Sequence, residues 1–226
     1  MNNYVVLGGW GVGPDILKPL FGDDSLFLDI NKVMPDLINN ETPVENWSEI
    51  AAAKIRELAG EGSIRLAGWS TGAMIAWGAG FHINPAELIL LSPTPCFCRK
   101  DDFKPGVRPK LLDSMISSVQ RDKDSTLGNF HKRCGLTTGA IDYTGYSTHQ
   151  LLCGLQFLKH IDLRPLTPLC TTPVLMHGRD DLIIPAEAAA MFADKIGGDL
   201  ELFDGPHAFF NSKERHISQI IANKGS

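Results

Sequence analysis

The stretch Ser63-Ile64-Arg65-Leu66-Ala67-Gly68-Trp69-Ser70-Thr71-Gly72-Ala73-Met74 sets the fold class of the whole chain. Its first half, carried by Ile64, Leu66 and Ala67, has the apolar character of a short strand buried in a sheet. Its second half opens a segment with helical spacing over residues 71–81. Between the two, Gly68-Trp69-Ser70-Thr71-Gly72 reads G-x-S-x-G, a serine on a sharp strand-to-helix turn. Side chains two residues to either side of such a serine would collide with neighbouring strands, and glycine at both places removes the clash. The helix N-terminus behind Ser70 favours negative charge developing beside it.

Outward from this turn the same alternation continues. Six short apolar runs read as strands, at residues 4–7, 26–30, 64–67, 88–91, 174–177 and 200–203. Helical patterns separate them at 47–58, 71–81, 186–196 and 214–222. The first is the clearest, with Trp47, Ile50, Ala51, Ile55 and Leu58 on one stripe and Gly60 past its end. Strand and helix in alternation imply an α/β fold with a mainly parallel sheet of about six strands flanked by helices. One region breaks the rhythm. From Cys96 to Pro168 no strand pattern returns, and helical patches such as 109–120 and 147–158 occupy the space. An excursion of this length predicts a helical cap (96–168) inserted into a core formed by residues 1–95 and 169–226. Pro165, Pro168 and Pro173 mark the return to the core.

A serine hydroxyl needs a base to become a nucleophile. On a sheet of this kind the partners follow in the order Ser, Asp/Glu, His, in loops at the carboxyl ends of the strands. Of seven histidines, His207 in Asp204-Gly205-Pro206-His207-Ala208-Phe209 stands in a small-residue loop just beyond the last strand. His82, His131, His149 and His160 fall in helices or the cap, His177 ends a core strand and His216 lies on the terminal helix, so all six read as structural. The loop Gly178-Arg179-Asp180-Asp181-Leu182-Ile183-Ile184-Pro185 offers two carboxylates, and the Gly-x-x-Asp spacing with a proline four residues later selects Asp181. Its role would be to fix the tautomer of His207 and stabilise the imidazolium. An oxyanion would need two backbone N–H donors, expected from Thr71 and from Trp10 in the glycine-rich loop Leu7-Gly8-Gly9-Trp10-Gly11-Val12-Gly13. That loop is a poor dinucleotide motif, since its third glycine comes one residue too early for G-x-G-x-x-G and no acidic residue stands at the right place beyond the next strand.

Composition narrows the setting. The chain has 226 residues, 43% hydrophobic and 21% charged, enough for one large domain with a core. No run approaches the roughly 20 apolar residues of a membrane span, and the start Met1-Asn2-Asn3-Tyr4 lacks the basic and apolar regions of a signal peptide. Five cysteines at irregular spacing, without a CxxC pair, argue against a disulfide framework and for a reducing compartment, so the cytoplasm is expected. Cys96 and Cys98 have no second pair to complete a metal site and read as small core or loop residues. Neither a metal nor an organic cofactor is expected. The net charge of −5 hides an asymmetry, for residues 96–165 carry eleven Lys/Arg against seven Asp/Glu. A basic middle on an acidic body suits an acidic partner.

The chain resembles the α/β-hydrolase carboxylesterases that cleave pimeloyl-acyl-carrier-protein methyl ester in biotin synthesis. The likeness is carried by Gly9-Trp10-Gly11, which matches that family's HGWG-type loop, by Gly68-Trp69-Ser70, by residues 155–164, by Gly178-Arg179-Asp180-Asp181 and by His207-Ala208-Phe209. It covers most of the core, while the cap from Cys96 to about Gly145 is only loosely similar. The family's loop histidine is replaced here by Gly8, and the chain opens on the strand before that loop, without the two antiparallel edge strands of larger relatives. The resemblance implies a serine esterase with Ser70, Asp181 and His207 as its triad. It also implies an acidic acyl carrier protein docking on basic cap residues, for which Arg108, Arg121, Lys132 and Arg133 are the candidates. Trp10, Trp69, Phe130, Tyr143 and Phe157 are the expected lining for an acyl chain. The same residues also suit a general short-chain carboxylesterase or thioesterase, a C–C bond hydrolase, or a non-catalytic receptor holding a small ligand under the cap.

Overall fold

The computed structural model describes residues 4–136 and 145–224. Among the described residues eight strands, β1 (Tyr4–Leu7), β2 (Leu26–Leu28), β3 (Ile38–Asn39), β4 (Thr42–Pro43), β5 (Arg65–Trp69), β6 (Glu87–Leu91), β7 (Val174–Gly178) and β8 (Asp199–Phe203), form two sheets. The larger has the order β2-β1-β5-β6-β7-β8, and each of its neighbouring pairs is parallel. The smaller is the antiparallel pair β3–β4, which the sequence pattern did not announce because each strand is only two residues long.

Alternation along the strands builds two cores. Tyr4, Val6, Ala67, Trp69, Ile89, Leu91 and Met176 point to one face, and Val5, Leu7, Leu66, Leu88, Leu90 and Leu175 to the other. The first face is covered by α1 (Lys18–Phe21) and α9 (Phe210–Lys224), the second by α2 (Ile30–Leu37), α3 (Trp47–Ala59), α4 (Thr71–Ile83) and most of the apolar side of α8 (Ala186–Ile196). A sheet clad on both sides explains why its strands are near-continuous apolar runs. Helix α4 is the central one: its first ten residues, Thr71 to Gly80, are all buried, so it shows no polar stripe. The β2 run stops at Leu28, earlier than its apolar pattern suggests, because Asp29 turns the chain and caps α2 by accepting a bond from Asn31 N. Helix α9 begins at Phe210, ahead of the expected 214, and bends at Lys213.

Between β6 and β7 lie α5 (Pro109–Arg121), α6 (Lys123–Cys134) and α7 (Thr148–His160). Asp122 ends α5 and caps α6 through Ser125 N, and Ser147 and Gln150 form a reciprocal capping box on α7. Helix α6 has a weak sequence signal, since Leu127, Phe130, His131 and Cys134 are its main packing residues. The two ends of this helical insert are tied together at the sheet by a bridge between Cys96 and Asp162 and by Leu163 N donating to Pro95 O (2.7 Å). Among the described residues no helix is long and apolar enough to cross a membrane, and no group of three or more His, Cys, Asp or Glu side chains is placed to hold a metal ion.

Candidate active site

Ser70 stands between β5 and α4 with φ 57° and ψ −120°, a conformation that an L-residue adopts only under restraint. The restraint is visible. Its N–H donates to Leu91 O at the end of β6 (2.8 Å), and α4 begins at the next residue. A Cβ on Gly72 would overlap the carbonyls of Leu7 and Gly8 at the end of β1, as expected for a collision with a neighbouring strand. A Cβ on Gly68 would instead overlap the carbonyl of Gly72, so that glycine makes room for the first turn of α4.

The glycine-rich loop after β1 packs against this turn. A Cβ on Gly9 would meet the Trp69 ring at 3.0 Å and Ser70 Cβ at 3.5 Å, so the loop backbone lies close over the serine. The N–H groups of Trp10 and Thr71, both in buried residues, make no hydrogen bond among the described residues. The loop itself is braced from two sides. Asn31, fully buried at the start of α2, accepts from Gly11 N (2.7 Å) and donates to the carbonyls of Gly9 (3.1 Å) and Val12 (3.3 Å). His131 of α6 donates from Nε2 to Gly11 O (2.8 Å), and burial pushes its pKa down. These braces stand in a loop where Gly8 offers no side chain. Sequence reading missed Asn31, although a polar residue beside Ile30, Val33 and Met34 on an apolar helix was a usable signal. It treated His131 as structural, and the carbonyl it holds could not have been named without the fold.

Asp181 and His207, 26 residues apart in sequence, meet beyond the ends of β7 and β8. His207 Nδ1 lies 2.6 Å from Asp181 Oδ2, with both side chains fully buried. Asp181 Oδ1 accepts from Ile183 N (2.7 Å) and Ile184 N (2.9 Å). Burial alone would raise the Asp181 pKa. The charge of His207 and hydrogen bonds from His177 and His207 outweigh it and hold the carboxyl well below the usual carboxylate range. The His207 carbonyl accepts from Ser92 Oγ (2.9 Å) and Trp69 Nε1 (3.2 Å), and its ring lies 5.2 Å from that of Trp69. The backbone and one face of the imidazole are thus held by the residue next to Ser70. His207 Nε2 is buried and has no hydrogen-bond partner, so the bond that would link it to Ser70 Oγ is not made. Asp180 is exposed and donates its N–H to Gly205 O, a loop contact.

A cavity of about 590 Å³ reaches Asp181 of this pair, without His207 or Ser70 in its lining, and is within the range of roughly 300–1,000 Å³ usual for small-molecule sites. One wall is the loop Asp181, Leu182, Ile183 and Pro185, and the opposite walls come from the insert. The lining is mostly apolar, including Phe97, Val107, Met115 and Phe130, with Arg99, Arg108 and Arg133 around it. Leu111 and Leu182 are 52% and 69% exposed at the cavity, unusually open for leucine. Of the aromatic residues expected to line it, Phe130 does so. Trp10 sits behind Phe130, edge-on to it at 5.0 Å, with its indole N–H on Leu151 O (2.8 Å). Trp69 and Phe157 do not line the cavity. Trp69 packs in the core against His207 and Phe210, and Phe157 is fully buried edge-on to Trp47, because α7 turns that residue toward the sheet. Tyr143 lies outside the described residues. Arg108 and Arg133 line the cavity, and Arg133 also donates to Leu182 O (3.0 Å), whereas Arg121 and Lys132 are exposed elsewhere on the insert.

No protein-family model matches the chain. Two curated relatives with the same name resemble it over most of their length. The pimeloyl-[acyl-carrier protein] methyl ester esterase of Pseudoalteromonas atlantica is 24% identical over 98% of this chain and 93% of its own. That of Wigglesworthia glossinidia brevipalpis is 27% identical over 82% of this chain and 77% of its own. Among solved structures, an esterase from Exiguobacterium antarcticum superposes with a TM-score of 0.77 at 19% identity, covering 100% of this chain and 94% of that one. A bromoperoxidase from Bacillus anthracis gives 0.75 at 16% identity, covering 99% and 92%. The chain has the α/β-hydrolase fold and is similar in sequence to the pimeloyl-acyl-carrier-protein methyl ester esterases.

Proposed function

We propose that the chain is a serine carboxylesterase that hydrolyses an acyl ester through an acyl-enzyme, with Ser70 as nucleophile, His207 as base and Asp181 as the carboxylate behind it. The observation that carries this is a buried imidazole held at 2.6 Å from Asp181 by one nitrogen while the other is left unpartnered. An orphaned buried nitrogen needs an explanation, and on an imidazole whose other nitrogen is held by a carboxylate, next to a strained serine turn, receipt of the serine proton supplies one. Substrate-free sites often hold the serine–histidine bond open and tighten it when substrate seats.

Ser70 Oγ attacks the ester carbonyl while its proton passes to His207 Nε2, and the N–H groups of Trp10 and Thr71 hold the oxyanion. The alcohol leaves with the proton from His207. Water then attacks the acyl-enzyme, giving a proton to His207, which passes it to Ser70 Oγ as the serine leaves and the acid is released. Asp181 stays ionised throughout and steadies the imidazolium. Residues 96–168 serve as the cap, and the acyl chain occupies the cavity against Phe130, Phe97 and Met115.

The names of the relatives favour pimeloyl-acyl-carrier-protein methyl ester as substrate, in a biotin-synthesis role, with methanol as the leaving alcohol. The arginines at the cavity are in keeping with it, since an acyl group on an acidic carrier brings negative charge to the mouth. The test is turnover of that carrier-linked ester beside simple p-nitrophenyl esters, with fluorophosphonate labelling of Ser70. Labelling with fast turnover of both identifies an esterase that accepts the carrier substrate. Turnover of the small esters alone leaves a general short-chain esterase. An unlabelled Ser70 and no turnover would defeat the catalytic reading.

A further inference from the structure

Asp181 carries a second imidazole that the mechanism above does not use. His177, in β7, is fully buried, and its Nε2 lies 3.1 Å from Asp181 Oδ2 and 2.8 Å from Ile184 O. Both neighbours are acceptors, so Nε2 carries the proton; its one N–H makes its hydrogen bond to Ile184 O and leaves Asp181 Oδ2 as a second, longer neighbour. Among the described residues its Nδ1 is buried with no partner, and the polar contacts of the ring run through Nε2. The carboxylate therefore receives three hydrogen bonds, two from backbone N–H groups on Oδ1 and one from His207 on Oδ2, and His177 Nε2 stands against Oδ2 as a fourth, longer contact at 3.1 Å.

We propose that His177 is a positioning residue for the Asp181–His207 pair. Held by Ile184 O, its Nε2–H edge lies against Oδ2 at 3.1 Å, limits the rotation of the carboxylate about the Cβ–Cγ bond and takes up part of the negative charge that would otherwise act on His207 alone. The proposal rests on the serine-esterase reading for its kinetic consequence and on geometry alone for its effect on His207. The physical argument is one of sharing. Each donor on Oδ2 draws charge toward itself, leaving less to stabilise an imidazolium at His207. Two donors on Oδ1 set only one end of the group, and His207 alone on Oδ2 would move with it. His177 is anchored by β7 on one side and by Ile184 O on the other, so it supplies a reference that does not move with His207.

The other ionisable groups nearby are few. Cys134 at the end of α6 is buried and its thiol pKa is pushed up, Arg133 beside it bonds to Leu182 O, and Arg179 pairs with Asp204 at the surface, with exposed Asp180 between.

The test compares His177→Phe and His177→Gln with the wild-type protein, with circular dichroism to confirm folding. Glutamine places an amide N–H near the position of Nε2, and phenylalanine fills the space without a donor. The direct readout is the NMR titration of the His207 imidazole, which does not require turnover. The kinetic readout is the pH dependence of kcat/KM for a p-nitrophenyl ester. In His177→Phe the His207 titration and the acid limb should both move up by about half a pH unit or more. In the same variant kcat should fall about tenfold with KM little changed, because His177 does not line the cavity. His177→Gln should recover most of both effects. A His207 titration in folded His177→Phe that overlays the wild type overturns the proposal, as does a His177→Gln variant indistinguishable from His177→Phe. Should the phenylalanine variant fail to fold, His177→Met replaces it with the same two outcomes. Failure of fluorophosphonate to label Ser70 in the wild-type protein would count against the esterase reading, and the NMR titration would still decide the role of His177.

Discussion

The carboxyl edge of the sheet and the helical insert above it are built on opposite principles. At the edge, Ser70, Asp181 and His207 are buried and held mostly by backbone: Ser70 N on Leu91 O, Asp181 Oδ1 on two amides, and the His207 carbonyl under two donors. In the insert, the side chains lining the cavity are mostly apolar or cationic, with the neutral polar Ser114, Ser118, Thr126 and Asn129 among them; Leu111 is half exposed, and Arg99 and Arg108 are exposed. The difference teaches how labour is divided. Chemistry needs atoms placed to within about half an ångström, which backbone hydrogen bonds and steric exclusion provide. Selection of a ligand needs area and charge of the right kind, which exposed side chains on helices provide at lower precision.

If that division is right, the edge should tolerate almost nothing. Ser70→Ala should reduce esterase turnover by about 10⁴-fold or more, as loss of a nucleophile does elsewhere, while leaving thermal unfolding nearly unchanged. Steady-state assays and calorimetry on the same preparation check both halves, and an active Ser70→Ala protein would remove the chemistry from this edge altogether. Gly72→Ala attacks the edge by volume. The new methyl would overlap the Leu7 and Gly8 carbonyls, which cannot move without opening β1. Overpacking of this kind costs about 3 kcal/mol, or about 6–12 °C in Tm for a chain of this size. Gly128→Ala, on α6 where an added Cβ meets nothing within 4 Å, is the matched control in the insert and should leave Tm unchanged or slightly raised.

The same division explains what could be read from the chain before its structure. The edge was legible because its constraints are local. G-x-S-x-G states a steric rule in five consecutive residues, and Gly-x-x-Asp and the His207 loop each follow a strand whose apolar run is obvious. The parallel sheet was legible for the same reason, since strands buried on both faces leave unbroken apolar runs. The cavity lining was not. Phe157 and Phe130 look alike in sequence, and only the rotation of α6 and α7 about their axes turns one toward the cavity and the other toward Trp47. Trp69 was expected to face an acyl chain, yet its strand position sends it into the core beneath His207. His177 was hidden for a third reason. It reads as the last apolar-run residue of a strand, and its contact with Asp181 follows from a turn of four residues whose shape no pattern specifies.

In the insert, the expected effects are smaller and depend on the ligand. Arg108→Ala combined with Arg133→Ala removes two cations from the cavity. For an ester linked to an acidic carrier, kcat/KM should fall about tenfold at low salt and the difference should shrink as salt rises, because exposed charges are screened over about 10 Å at 0.1 M ionic strength. For a neutral p-nitrophenyl ester the double variant should match the wild type. Equal losses on both substrates would mean that the arginines hold the cavity open, Arg133 through its bond to Leu182 O, and recognise no charge. Arg121→Ala with Lys132→Ala, away from the cavity, serves as the comparison pair. A loss there as large as at Arg108 and Arg133 would place the docking surface on the outer face of the insert.

The smallest effect expected is one of acid stability, and it again separates the edge from the insert. The folded carboxyl of Asp181 titrates below its unfolded value of about 3.9. The unfolded chain therefore binds this proton first as pH falls. The stabilisation from Asp181 is fully present above about pH 4 and is lost as pH drops through the lower folded value. Asp181→Asn removes that linkage. Urea unfolding should find the variant less stable than wild type at pH 7, with the gap narrowing between about pH 4 and pH 2. Asp124→Asn on α6, which loses a surface contact with Lys123, should show a much smaller gap at pH 7. A gap for Asp181→Asn that stays level down to pH 2 would mean that the two imidazoles and two amides do not favour the ionised carboxyl over the neutral one. The edge would then owe its rigidity to packing alone.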